Sequence, residues 1–182
     1  MSYYEECCEK GTNCLHKTIK DIIDAQVKVA EESDCGCCTT GCECSINDLL
    51  APSTTNNTRN TTIPFLLYCK ASCSPFFATG IYKETINNTN FYHQVQTPIF
   101  KAKKFKNNSK NCVQLELLIP AQTDGSAIDI EDTEARNIAQ YFTRGVTNNF
   151  IETGLCITID LNHFFAITCL DPIRPIRSSN FP

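Results

Sequence analysis

The cysteine count is odd. Thirteen cysteines in 182 residues cannot all pair within one chain, so at least one thiol stays unpaired, binds something or joins another molecule. A chain this long buries a real core, so it does not need cysteines merely to fold. The cysteines are also unevenly placed. Cys7, Cys8, Cys14, Cys35, Cys37, Cys38, Cys42 and Cys44 crowd the N-terminal quarter, while Cys69, Cys73, Cys112, Cys156 and Cys169 are spread through the rest.

Residues 1–9 are polar and acidic and do not read as a secretory leader. Cytosolic proteins carry few disulfides, so the cysteine load conflicts with that terminus. Three resolutions remain open: metal binding in the cytosol, a mature form that has lost its signal, or synthesis inside a cell followed by oxidation. A net charge of −4 argues against a nucleic-acid binder, which would carry a basic stripe. No apolar run approaches the ~20 residues needed to span a bilayer.

Between the two N-terminal cysteine groups, Leu15, Ile19, Ile22, Ile23, Val29 and Ala30 recur at helical spacing, which predicts a helix over 15–32. Asn13 suits its N-cap, and Gly36 lies beyond its end. The segment 51–62 (APSTTNNTRNTT) has no apolar period and reads as a linker. Strand patterns follow at 63–70, 98–105 and 111–119, the last placing Val113, Leu115, Leu117 and Ile119 on one face. Asn- and Thr-rich stretches at 87–90 and 107–111 separate them, and 130–142 reads weakly as a short helix.

The runs 154–161 and 164–171 flank Asn162-His163, as in a two-residue hairpin. That register pairs Leu161 with Phe164, Ile159 with Ala166, Ile157 with Thr168 and Cys156 with Cys169. Leu155, Ile157, Ile159, Leu161, Phe164, Ala166 and Leu170 then form a core face. A non-hydrogen-bonded pair sits with Cα atoms ~4.5 Å apart, within disulfide reach, so Cys156 and Cys169 are expected as a disulfide or as adjacent thiols.

The cluster 35–44 (CGCCTTGCEC) is too rich in cysteine and glycine to read as a regular helix or strand. It suits disulfides within or between chains; thiolate metal ligation is the alternative, although the spacing is not that of a zinc ribbon. Adjacent Cys7 and Cys8 cannot easily bond to each other, so each suits a distant partner. His16, His93 and His163 stand in no catalytic motif, and no catalytic, cofactor or metal residue is assigned. Lys101, Lys103, Lys104, Lys106 and Lys110 form an all-basic run; Asp124, Asp129, Glu131, Asp132 and Glu134 form an acidic one. They read as an edge guard and a solvated loop, or as the two halves of a head-to-tail contact between copies. The four N-x-[ST] sites at Asn56, Asn60, Asn87 and Asn107 follow from composition and do not read as glycosylation sites.

The segments 63–71 (IPFLLYCKA), 97–100 (TPIF), 112–117 (CVQLEL), 156–161 (CITIDL) and 164–170 (FFAITCL) resemble the CotY/CotZ/ExsY family of cysteine-rich spore coat and exosporium proteins. The resemblance covers roughly residues 60–171, and its closing segment is the most specific part. It implies a building block that is no enzyme, made in the mother cell without a leader and oxidised in the coat, crust or exosporium. Such a protein assembles with itself into disulfide-linked arrays beside other coat or exosporium proteins, without nucleic acid or membrane.

The expected architecture is mainly β: a sandwich-like antiparallel domain over 63–171, with a closed barrel as the alternative. A cysteine-rich segment with a helix occupies 1–50, a linker 51–62 and a tail 172–182. Cys7, Cys8, Cys14, Cys35, Cys37, Cys38, Cys42 and Cys44 are the expected cross-linking residues, with Cys156 and Cys169 as a local pair; no cofactor is implied.

Overall fold

The computed structural model describes residues 40–51, 60–106, 111–128, 130, 137–142 and 145–177. The helix expected over 15–32 and most of the linker lie outside them. The described chain is mainly β, as expected. It comprises helix α1 (Cys42–Leu50) and strands β1 (Phe65–Cys69), β2 (Ala78–Ile86), β3 (Thr89–Thr97), β4 (Ile99–Phe105), β5 (Cys112–Ala121), β6 (Asn149–Asp160), β7 (Phe164–Cys169) and β8 (Ile176–Arg177). A 3₁₀ turn spans Ile138–Phe142, in place of the short helix expected there, and another spans Leu161–His163.

Six strands form one sheet in the order β7-β1-β4-β5-β6-β8, and β2 and β3 form a separate ribbon. All neighbours are antiparallel except β6 and β8. Apolar residues on both faces explain how the large sheet is covered. Adjacent residues of a strand point to opposite sides, and Ile99 and Phe100 are both fully buried. Phe100 packs with Phe65, Leu67, Ala78, Val113 and Leu115, and Phe76, Ile157, Ile159 and Phe164 close around them. Ile99 joins Leu118, Tyr141 and Phe150 in a second cluster bordered by Phe77, Leu170 and Ile173.

Of the four residues read on one face of β5, Ile119, beyond the irregularity in the β5–β6 register, is only half-buried, whereas Val113, Leu115 and Leu117 are buried. What the pattern omits is Leu118, equally buried on the opposite face, where the second cluster begins.

The ribbon lies over the first face through its base. A Cβ added at Gly80 would stand 2.9 Å from Leu155 Cδ1 and 3.2 Å from Leu117 Cδ2, so glycine lets the ribbon settle onto the sheet. Its far end is a two-residue turn at Asn87 and Asn88, with φ of 50° and 64°. Asparagine tolerates this left-handed region better than most residues, and two such residues in succession make the turn that suits strand twist.

The expected hairpin is corrected. β6 and β7 are consecutive but do not pair: β6 pairs with β5, and β7 pairs with β1. The cause is local. Asp160 accepts a hydrogen bond from the Asn162 N–H at 2.9 Å, and Leu161–His163 wind into a 3₁₀ turn instead of a tight reversal. Each end of that turn is held by a different neighbour: the Leu161 N–H donates to Asn111 O, and the Lys70 N–H donates to His163 O. The two strands therefore part, and β1 takes β7.

The segment after 171 joins the sheet. Thr62 bridges Ile173, and Ile176–Arg177 runs parallel to Ile151 and Glu152.

Candidate functional site

Of the expected cross-linking residues, Cys7, Cys8, Cys14, Cys35, Cys37 and Cys38 lie outside the described residues. Cys42 and Cys44 occupy the first turn of α1, so the end of the cysteine cluster is helical, against the expectation of an irregular knot. Two residues of separation in this turn turn their side chains apart. Cys42 bonds to Cys169 at the end of β7, with S–S 2.06 Å and Cα atoms 4.8 Å apart. This corrects the Cys156–Cys169 pair: in the expected hairpin they would face each other, but the two strands have different partners.

Serine reinforces the same joint. The buried Ser45 hydroxyl donates to Leu170 O at 2.9 Å, one residue beyond Cys169. The helix has no side-chain cap at Gly41 and spans only nine residues. Isolated helices that short are marginal in water, and these two attachments fasten it to the end of β7.

Cys156 lies on β6 opposite Glu116 of β5, and it is exposed. It belongs to a charged face formed by β4, β5 and β6. Glu116 is buried, 4% exposed, and its two oxygens are both used. Oε1 accepts from the Gly154 N–H at 3.0 Å, and Oε2 accepts from Lys103 Nζ at 2.9 Å. Gly154 has φ of 73°, at an irregularity where the β5–β6 register jumps from Cys156–Glu116 to Glu152–Leu118. The carboxylate thus satisfies a backbone donor that the interrupted ladder leaves over. Alongside, Lys101 pairs with Glu152, which Arg177 also approaches at 3.7 Å.

These pairs answer the question posed by the lysine run. Lys101 and Lys103 are occupied by acids of their own chain. β4 also meets β1 only at Phe65–Phe100, so the edge reading applies to its outer half. On the acidic side, Asp124 accepts from the Ser126 N–H and hydroxyl in a turn, and these bonds hold its carboxyl below the usual range. The other acids of that run lie outside the described residues.

The charged face sets the reactivity of Cys156. Partial burial pushes the thiol up, the Glu116 carboxylate pushes it further, and Lys103 opposes them. Since the thiolate is the nucleophile, alkylation of Cys156 is expected to rise at higher pH than that of an ordinary cysteine. Glu116→Gln moves the midpoint down and Lys103→Ala moves it up. Peptide-resolved alkylation rates between pH 7 and 10 check this; equal midpoints in all three proteins would contradict it.

Cys69 and Cys73 also stand outside any disulfide. Cys73 is exposed at φ 50°, its N–H donating to Cys69 O at 3.0 Å in the turn that follows β1. Ser72, Ser74 and Pro75 are the sequence signals that could have marked this turn and the exposure of Cys73 in it. His93 lies 3.1 Å from Glu84 on the ribbon, and His163 ends the 3₁₀ turn. His16 lies outside the described residues. Among the described residues, no three His, Cys, Asp or Glu side chains gather as a metal site, and no helix is long and apolar enough to cross a membrane.

A β body with its N-terminal helix tied on by a long-range disulfide, and with thiols displayed on its surface, has the anatomy of a cysteine-rich structural protein. The chain belongs to the spore coat protein Z family, whose profile matches residues 4–172. It is 28% identical over 164 residues to Spore coat protein Z of Bacillus subtilis (strain 168), a match covering 90% of this chain and 93% of that protein. No solved structure matches the chain.

Proposed function

We propose that this protein is a structural unit of the spore coat, not an enzyme, and that its copies assemble into arrays locked by disulfides. The observation that carries the reading is the distribution of sulfur. One bond, Cys42–Cys169, secures the body internally, while Cys73 and Cys156 present thiols on its exterior. Cys7, Cys8, Cys14, Cys35, Cys37, Cys38 and Cys44 are the further candidates for links between copies or to other coat components. In this reading residues 1–50 form a cross-linking arm, 51–62 a linker and 63–171 the assembling body. The protein is made in the mother cell and oxidised in the coat, crust or exosporium, without nucleic acid or membrane. Covalent locking makes release depend on reduction, which suits a durable shell.

Electron microscopy of the purified full chain, with and without reductant, tests this. The expected result is ordered arrays that loosen or vanish on reduction. A monodisperse monomer under oxidising conditions would overturn the reading. So would stoichiometric zinc or copper with every thiol reduced, because the cysteines would then be metal ligands.

A further inference from the structure

The ribbon leaves the body halfway along its length. Ala78 and Thr97 at its base are buried, whereas every residue from Lys83 to Gln94 is exposed. Among its polar residues this free half displays large apolar and aromatic side chains: Phe91 is 45% exposed, Tyr92 74% and Ile86 47%. Among the described residues no strand pairs with the outer edge of β3. Near the base that edge is used, since the Tyr141 hydroxyl donates to Gln96 O at 2.9 Å. The open stretch is therefore 89–94.

Which backbone groups point outward follows from the turn. In a two-residue hairpin the closing pair, here Ile86–Thr89, is hydrogen-bonded, and such pairs alternate along the ladder. Glu84–Phe91 and Tyr82–His93 are then bonded inward. Asn90, Tyr92 and Gln94 direct their N–H and C=O groups away from β2. Protein edges are usually blunted by lysine, proline or inward charge. The sequence of β3, TNFYHQVQT, contains no proline and no Lys, Arg, Asp or Glu.

We propose that this edge is an interface between two copies of the chain, β3 pairing antiparallel with β3 across a two-fold axis. The proposal rests on the self-assembly reading and adds a non-covalent contact to it. A second copy is the occupant because it supplies the complement without any further element. A two-fold through Tyr92 sets Tyr92 against Tyr92 and Asn90 against Gln94, and the outward groups of each copy meet those of the other. The same register puts Phe91 beside His93 of the second copy on one face, and the two Tyr92 rings together on the opposite face. No like-charged side chains oppose one another. The contact is isologous and joins two ribbons into one four-stranded sheet.

The experiment is sedimentation velocity of the full chain in reductant, where disulfides contribute nothing. The wild type is expected to dimerise reversibly. Tyr92→Pro removes one outward N–H while sparing the β2–β3 ladder, and is expected to weaken association by more than about tenfold. Tyr92→Lys sets like charges against each other on the axis and is expected to do the same with the strand's N–H intact. Lys83→Pro makes the equivalent change on the outer edge of β2, directly across the ladder, and is expected to leave the dimer in place. The proposal is overturned if either Tyr92 variant dimerises like the wild type, or if Lys83→Pro disrupts as strongly as Tyr92→Pro. A reduced wild type that stays monomeric while oxidised protein still forms arrays rejects this contact and leaves the proposed function standing. A reduced dimer without oxidised arrays does the reverse.

Discussion

Cys42→Ser and Cys169→Ser should each lower the unfolding free energy by about 3 kcal/mol, and the double variant should cost little more than either. The bond joins residues 127 apart in sequence, so in the unfolded chain it removes a large amount of loop freedom. The entropic ceiling for so long a loop is near ~5 kcal/mol, and residual structure in the unfolded state reduces it. Removing either sulfur also cuts the covalent tie between α1 and β7, and the Ser45 bond to Leu170 remains. Urea titration of the variants, followed by circular dichroism, should show the midpoint shift together with a loss of helical signal. Additive losses in the double variant would mean that the two residues act separately, and the assigned bond would be wrong.

Phe100→Ala is expected to cost about 4 kcal/mol, the middle of the range for truncating a buried aromatic ring. Phe100 is fully buried, and its ring centroid lies 5.6 Å from that of Phe76 and 6.3 Å from that of Phe65. It therefore ties the central strand β4 to β1 and to the segment that leads into the ribbon. Phe165 provides the contrast: it is 55% exposed on β7, and its truncation should cost less than about 1 kcal/mol. Equilibrium unfolding of the two variants separates these cases. A loss at Phe100 no larger than that at Phe165 would show that the described packing is not what holds the body together. With typical total stabilities of ~5–15 kcal/mol, the expected loss is a large share.

Five strands of the large sheet were legible because runs of β-branched, aromatic and apolar residues announce themselves: β1, β4, β5, β6 and β7 all fall on such runs. Their partners were less legible. Nearest-neighbour pairing is the natural default for two runs separated by two residues, yet a single Asp160–Asn162 hydrogen bond redirects the chain into a 3₁₀ turn. With the pairing went the disulfide, since no local pattern links Cys169 to a residue 127 positions earlier.

The ribbon was missed for a different reason. Half of it leaves the body, so its residues follow no apolar alternation, and the one available sign was Asn87-Asn88 between two strand-compatible runs. Glu116 shows a third limit. A carboxylate on a strand reads as solvent-facing, but here an irregularity in the neighbouring strand exposes a backbone N–H that the side chain turns inward to meet.

The Cys42–Cys169 bond also decides how a load travels. Tension applied between the N-terminal arm and the C-terminal end enters at Cys42, crosses the sulfur bridge and leaves at Cys169. Residues 43–168 sit inside the covalent loop and bear none of it, so β1 to β6 are shielded from the pull. Among the described residues after the bridge, the stretch beyond Cys169, with its bridge at Ile173 and its pairing at Ile176–Arg177, lies in line with the pull. Peeling that stretch would draw Leu170 and Ile173 away from the second core cluster, so its few hydrogen bonds are backed by apolar packing when the load reaches them.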